Sequence, residues 1–180
     1  MEAAGRSPVP GVSREAGSRA GALPPSIQVV EFMLGSERFA IDLFDVREVV
    51  EYTPVTKIPR VPPYVIGIID LRGDVIRIID LKDRLSIPRG NSPGTETSRI
   101  IVLDSRITAE RIGILVDDVM SVSTFDSSQV DRTSSSFNRD ETAIIGIIKR
   151  TVRVRDKDSN ELIIWIDIRK LVGRSDNGSG

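Results

Sequence analysis

One pentapeptide, Asp70-Leu71-Arg72-Gly73-Asp74, places an arginine and a glycine between two strongly apolar stretches. Glycine supplies the positive φ that a tight hairpin turn needs. The arginine side chain offers a planar fork of donors that matches a carboxylate or backbone carbonyls. Arg72 is therefore either a solvated residue at a hairpin tip or a group that binds a partner.

A second candidate is Glu48, within the segment Val46-Arg47-Glu48-Val49. Apolar residues recur at helical spacing around it, which predicts a short amphipathic helix over Phe44–Glu51 that Asp42 or Asp45 caps. On such a helix Glu48 lies on the solvated face, beside an apolar stripe.

Two acidic groups resemble catalytic or metal-binding arrangements only weakly. Asp117-Asp118 has no base partner and no metal-ligand spacing around it. Asp156-Lys157-Asp158-Ser159-Asn160 begins like a calcium loop, but Glu161 stands at its sixth position instead of glycine and no helix flanks it. We therefore expect no metal site, and a hairpin tip in the second case.

The composition removes most enzymatic mechanisms. The 180 residues include no histidine and no cysteine, so the commonest general base, the commonest metal ligand and thiolate chemistry are all absent. The sequence also has no glycine loop that would cradle a phosphate and no nucleophile elbow. We predict a protein that is not an enzyme and needs no cofactor.

The charge balance bears on partners and location. Lysine plus arginine number 25 and aspartate plus glutamate 26, a net charge of −1, whereas nucleic-acid-binding domains usually carry a basic excess. No apolar run approaches the roughly 18 residues of a membrane helix, and the absence of cysteine fits a reducing compartment. We expect a soluble, cytoplasmic protein that binds no nucleic acid and does not insert into a membrane.

Composition also predicts the limits of the folded part. Residues 1–26 are rich in Ala, Gly, Ser, Pro and Arg without periodicity, so they are expected to form a disordered tail. Residues 173–180 look the same. The folded part is then 27–172, and its polar loop Ser134–Asn138 receives no predicted role.

Short apolar strands alternate with turn signals through the folded part. After Tyr64–Ile69 and Val75–Ile79, Asp80 is expected to cap one helical turn, Leu81–Leu85. The other predicted strands are Ile27–Leu34, Arg38–Leu43, Arg99–Asp104, Arg111–Val116 and Ala143–Ile148.

The pattern then repeats. VIGII around Gly67 resembles IIGII around Gly146, and the caps Asp80 and Asp167 each follow an apolar strand. This self-similarity predicts two copies of one unit, over about 27–87 and 99–172. The second copy has Lys149-Arg150-Thr151 where the first has Leu-Arg-Gly, so the first tip is specialised.

Each copy contains about five short strands, and their consecutive apolar residues require cover on both faces. Small antiparallel sheets hide their edges by closing into barrels. The fold class is therefore all-β, with two small five-stranded barrels packed around a shared core. A terminal strand could cross from one unit to the other.

Taken in order, several of these segments resemble the CheW family, the coupling proteins of prokaryotic chemotaxis. The resemblance covers 27–172. One motif departs slightly, since Asp70 stands where the family often has asparagine. The matching segments are Phe32–Gly35 with Phe39–Ile41, Val46–Val49, Ile58-Pro59 through Gly67, Asp70–Gly73, Ile76–Leu81 and Ile112–Val119.

The resemblance implies a non-enzymatic scaffold made of two five-stranded SH3-like barrels. Its partners would be the regulatory domain of a CheA-type histidine kinase and the coiled-coil tip of a chemoreceptor. The receptor helix would dock in a groove between the barrels. The residues expected there are Val46, Glu48, Arg72, Gly73 and Leu115, whereas Gly67, Asp80, Gly146 and Asp167 would be structural turn or cap residues.

Three other interpretations stay open from the sequence. The chain could be a CheW-like scaffold of another motility or signalling pathway. A nucleic-acid-binding protein built of small barrels would show a basic stripe and salt-dependent binding. A small-ligand barrel would need a cavity, whereas barrels of this size are normally filled by side chains.

Overall fold

The computed structural model describes residues 22–90, 95–132 and 143–173, which form eleven strands and four short helical segments. The helical segments are the 3-10 turns Leu43–Asp45 and Ser127–Gln129 and the helices α1 (Leu81–Arg84) and α2 (Ile168–Val172). The strands are β1 (Ser26–Leu34), β2 (Glu37–Asp42), β3 (Val46–Glu51), β4 (Val65–Leu71), β5 (Asp74–Asp80), β6 (Arg99–Leu103), β7 (Ile112–Val116), β8 (Asp118–Asp126), β9 (Val130–Asp131), β10 (Ile144–Val154) and β11 (Lys157–Ile166).

The strands form two sheets, which confirms the all-β prediction. Sheet A has the order β8-β1-β2-β11-β10-β9, and sheet B has the order β3-β6-β7-β5-β4. Both ladders are open, whereas we expected closed barrels of five strands each. In sheet B, Thr56 lies along the outer edge of β4 and forms two backbone hydrogen bonds with Ile68 of that strand. The segment around Thr56 contains Pro54, Pro59 and other prolines, and a proline has no N–H to extend such a ladder.

Hairpins are exchanged between the two halves of the chain. β1 and β2 join sheet A, whose other strands all come from β8 onward, while β6 and β7 join sheet B beside β3, β4 and β5. The exchange creates two parallel pairings, β2 with β11 and β5 with β7. The division into units at 27–87 and 99–172 stays a prediction, but each sheet contains strands from both segments.

Alternation along the strands divides the apolar side chains into three clusters. The shared cluster takes residues from both sheets, and each sheet has a further cluster on its other face. Because β1 contributes Val29 to the cluster of sheet A and Val30 to the shared cluster, both of its faces are covered. The largest fully buried side chains are Phe32, Leu34, Ile41, Ile76, Ile78, Leu81, Ile100, Ile101, Ile114, Ile148, Ile163 and Ile166.

The predicted helix over Phe44–Glu51 is wrong. A 3-10 turn capped by Asp42 leads into strand β3, which pairs antiparallel with β6. The helical spacing of the apolar residues is real, but their burial along β3 alternates with a period of two. β-Branched valines fit the strand, and pairing with β6 satisfies the backbone that a single helical turn would leave unpaired.

Two further boundaries differ from expectation. The turn of the last hairpin lies at Arg155 and Asp156, which both have positive φ, so Lys149–Thr151 lies within β10 instead of starting a turn. Leu23, which we expected in the tail, packs against the cluster of sheet A, and β1 begins at Ser26. The rest of the expected N-terminal tail, the loop at 134–138 and residues 174–180 lie outside the described residues.

Candidate functional site

The tip of the β4–β5 hairpin is a two-residue turn formed by Arg72 and Gly73. Both residues have positive φ, 52° and 87°, which are the signs that a type I′ turn requires. The Asp70 carboxylate accepts a hydrogen bond from the Gly73 N–H at 2.8 Å. Arginine rarely adopts a left-handed conformation, so the strands and this hydrogen bond hold it in a conformation that it would not choose alone.

Arg72 forms an ion pair with Glu48, which lies on β3. In the hydrogen-bonding order of sheet B, β3 and β4 stand at opposite edges. The ion pair therefore shows that sheet B curls, so that its two edge strands lie close together. The Glu48 and Arg72 side chains connect these edges, which are not neighbours in the hydrogen-bonding order of the sheet. The Arg72 side chain is 68% exposed and that of Glu48 25%, so the guanidinium remains accessible to a partner.

Other ion pairs surround this tip. Asp74, at the start of β5, accepts from Arg111 at 2.5 Å, so it partners Arg111 instead of Arg72. Arg77 of β5 pairs with Glu110 at 2.6 Å. These neighbours engage one another, which leaves Glu48 as the ion-pair partner of Arg72 among the described residues.

The remaining predicted site residues occupy different environments. Val46 is the first residue of β3 and is half-buried against the shared cluster, whereas Glu48 pairs with Val102 of the sheet B cluster, so the two side chains lie on opposite faces of β3. Leu115 is buried in the inner cluster of sheet B, so its side chain offers little surface to a partner. The structure therefore brings Val46, Glu48, Arg72 and Gly73 to the curled edges of sheet B and places Leu115 in the core beneath.

The predicted turn and cap residues have clear local environments. Asp80 accepts a hydrogen bond from the Lys82 N–H at 2.9 Å at the start of α1, and Asp167 accepts from the Arg169 N–H at 3.1 Å at the start of α2. A Cβ on Gly67 would lie 2.1 Å from the Thr56 carbonyl oxygen, so that close approach requires glycine.

The sequence analysis missed an ionic network inside sheet A. Glu31 is fully buried, and Arg150 donates to both of its carboxylate oxygens, at 2.8 and 3.1 Å. Glu161 accepts from Arg150 at 2.6 Å and from Arg38 at 2.8 Å. The only local signal was Glu31 itself, a glutamate at an inward position of an apolar strand, and the sequence around it does not identify its ion-pair partners.

Burial raises the pKa of Glu31, and this is the largest single effect on that group. Hydrogen bonds from Ser123 and Arg150 and the charges of Arg150 and Arg38 act in the opposite direction and outweigh it. The pKa of Glu31 therefore lies below its ordinary value of 4.5, and the group is a buried carboxylate held ionised by arginine.

The acidic groups considered as catalytic or metal sites have structural partners. Asp117 accepts from the Lys82 ammonium at 2.7 Å and from the Gly35 N–H at 2.6 Å. The calcium-like segment lies largely on strand β11, which begins at Lys157. Among the described residues no group of three or more acidic side chains is arranged to hold a metal ion.

None of the helices in the described ranges has the length and apolar character needed to cross a membrane.

Comparison with known proteins agrees with the fold and the motifs. A family model described as a CheW-like domain matches residues 28–176. A probable chemotaxis protein CheW from Rhizobium etli is 33% identical over 129 residues, 69% of this chain and 81% of the relative. The chemotaxis protein CheW of Rhizobium meliloti is 30% identical over 136 residues, 73% of this chain and 85% of the relative.

A solved structure is similar as well. The crystal structure of the scaffolding protein TtCheW from Thermoanaerobacter tengcongensis superposes with a TM-score of 0.64 at 34% identity, over 86% of this chain and 92% of that one. The match of the family model over nearly the whole described chain, together with these relatives, shows that the chain belongs to the CheW family of non-enzymatic chemotaxis scaffold proteins.

Proposed function

We propose that this protein couples the cytoplasmic tips of chemoreceptors to the regulatory domain of a CheA-type histidine kinase. Membership in the family of chemotaxis scaffold proteins supports the adaptor role. The observation that carries the receptor side of the proposal is the Glu48–Arg72 ion pair at the curled edges of sheet B, whose guanidinium is exposed. The proposed place of action is the cytoplasmic face of the membrane, where the partners hold the protein.

The site combines two kinds of surface. The edge strand β3 supplies apolar side chains, half-buried Val46 and exposed Val49, while the Glu48–Arg72 pair supplies charge. The amphipathic helix of a receptor would gain most of its affinity from its apolar face, and polar groups would set its register and orientation. The Arg72 guanidinium pairs with one carboxylate and keeps donors for another acceptor, so one fork can hold Glu48 and bind a carboxylate or carbonyl of the helix.

We expect Arg72→Ala to weaken binding of a receptor coiled-coil fragment by about tenfold, since a charge-assisted hydrogen bond contributes on the order of 1.5 kcal/mol. The free energy of unfolding should change by less than about 0.5 kcal/mol because exposed ion pairs stabilise little. Isothermal titration calorimetry with the receptor fragment, and separately with the kinase regulatory domain, measures both affinities.

The matched control is Arg106→Ala. The Arg106 side chain is 69% exposed, close to the 68% of Arg72, and it also pairs with one carboxylate, that of Asp104. It lies at the β6–β7 turn instead of the β4–β5 tip. Equal losses of receptor affinity in the two variants, or an Arg72→Ala variant that binds like the wild type, would contradict the receptor site.

The kinase titration separates the two halves of the proposal. Kinase binding that survives Arg72→Ala places the arginine on the receptor side of the adaptor. A wild-type protein that binds neither the receptor fragment nor the kinase domain would reject the coupling role and favour a CheW-like scaffold of another signalling pathway.

A further inference from the structure

Two short segments of the chain share one pattern that the proposed function does not use. Ile79–Lys82 reads IDLK, and Ile166–Arg169 reads IDIR. In both, an aspartate caps a short helix by accepting from the N–H of the residue two positions later. That residue is basic in each case, so each cap fixes the backbone from which one long cationic side chain extends.

Lys82 extends from α1, which follows strand β5 of sheet B, and reaches the point where the chain passes from β7 of sheet B to β8 of sheet A. Its ammonium donates to Asp117 at 2.7 Å, and Asp117 is the residue directly before the edge strand β8. The second carboxylate oxygen of Asp117 accepts from the Gly35 N–H in the β1–β2 turn. The lysine side chain is largely buried, so water screens this ion pair less than a surface pair.

Arg169 makes the reciprocal contact from α2, which follows strand β11 of sheet A. Its guanidinium donates to Asp45 at 3.0 Å, and Asp45 is the residue directly before β3, the edge strand of sheet B that carries Glu48. The Asp45 side chain is only 3% exposed. Removing the arginine would leave a nearly buried carboxylate without this donor.

We propose that Lys82, Asp117, Arg169 and Asp45 form a double clasp that fixes the orientation of sheet A relative to sheet B. The four are positioning residues for the partner-binding surface, a role that rests on the proposed function. The shared core between the sheets is apolar and largely aliphatic, and apolar packing has little directional preference. The two ion pairs supply direction because each links a helix that follows a strand of one sheet to the aspartate directly before the edge strand of the other sheet.

Inter-sheet distances test the clasp without any partner. The chain contains no cysteine, so Glu51→Cys on β3 and Thr124→Cys on β8 place one spin label on an exposed position of each edge strand. Pulsed electron paramagnetic resonance then gives the distance distribution. We expect Lys82→Met combined with Arg169→Met to broaden or shift this distribution, and Lys82→Arg to preserve it.

Lys149→Met is the matched control. Lys149 also forms one ion pair, with Asp131 at 3.0 Å, but both residues lie on neighbouring strands of sheet A. Its loss should leave the inter-sheet distance unchanged. If the double variant does not fold, Asp117→Asn replaces it, because an asparagine keeps an acceptor for the Gly35 N–H and removes the charge that holds Lys82.

The same proteins are then titrated with the receptor fragment. We expect the clasp variant to bind about 3- to 30-fold more weakly than the wild type and Lys149→Met to bind normally. A folded clasp variant whose distance distribution equals that of the wild type overturns the clasp. If the wild type itself binds no receptor fragment, the proposed function fails, and the distance measurement alone decides the clasp.

Discussion

Arg150→Met is expected to lower the free energy of unfolding by about 3 kcal/mol at neutral pH, since removing one partner of a buried ion pair leaves an uncompensated charge. Glu31 has no solvent exposure, and Arg150 is its bidentate partner. Arg38 stays within 3.6 Å of Glu31, but it already donates to Glu161 at 2.8 Å. Chemical denaturation at pH 7 measures the loss.

The difference in unfolding free energy between the wild type and Arg150→Met should become smaller as the pH falls. In the wild type the pKa of Glu31 lies below 4.5, so ionised Glu31 stabilises the fold above that pH, and this contribution is lost as the pH falls through the lowered pKa. In Arg150→Met, burial still raises the pKa of Glu31, while the hydrogen bonds and the charge of Arg150 that lowered it are gone. Protonation of Glu31 therefore destabilises the wild type, whereas in the variant it removes an unpaired buried charge. Denaturation curves of the two proteins should differ less near pH 4 than at pH 7.

Two further variants make this prediction specific. Arg153→Met changes an exposed arginine on the same strand, for which no ion pair is found among the described residues, and it should alter stability by less than about 0.5 kcal/mol. Replacing Glu31 and Arg150 together by methionine should recover much of the loss, because no buried charge remains. An Arg150→Met variant as stable as the wild type at pH 7 would show that the network does not hold sheet A together.

Gly67→Ala is expected to destabilise the fold by about 3 kcal/mol or more, through steric overlap and a strained backbone. Gly67 has φ of +154°, and an added Cβ would lie 2.1 Å from the Thr56 carbonyl oxygen and 2.8 Å from Val55 Cγ1. That carbonyl accepts from the Ile68 N–H at 2.9 Å, so moving it away breaks the bridge that covers the edge of β4. Thermal and denaturant unfolding measure the change.

Two other glycines provide a graded comparison. In Gly146→Ala the new Cβ would lie 2.9 Å from Val130 Cγ1 and 3.0 Å from the Asp131 carbonyl oxygen, a milder overlap. In Gly73→Ala nothing lies within 4 Å, so only the cost of a positive φ remains, about 1 kcal/mol. The expected order of destabilisation is Gly67, then Gly146, then Gly73, and a Gly73→Ala variant less stable than Gly67→Ala would refute the steric explanation.

The largest error in reading the sequence concerns β3. The apolar residues of Phe44–Glu51 fit a helical period, and a six-residue strand is too short for periodicity to separate the two structures. Pairing with β6, about fifty residues later in the chain, decides the outcome. Glu48 therefore lies on a strand, and its side chain meets Arg72 across the open edge of sheet B.

By itself, the sequence determined the local features. Short runs of apolar residues between turn signals specified most strands, Asp80 marked the start of α1, and Arg72-Gly73 marked the hairpin tip, because each depends on neighbours within a few residues. The ordered motifs of residues 27–172 also sufficed to indicate the family, which the family model matches over 28–176.

Only the tertiary structure decided which charged groups meet. Glu48 and Arg72 are 24 residues apart, Glu31 and Arg150 are 119 apart, and Asp45 and Arg169 are 124 apart. No local pattern encodes such pairs, because they arise when the β1–β2 and β6–β7 hairpins exchange between the sheets and sheet B curls. Periodicity shows which face of a strand is buried, but the partners on that face depend on the pairing of distant strands.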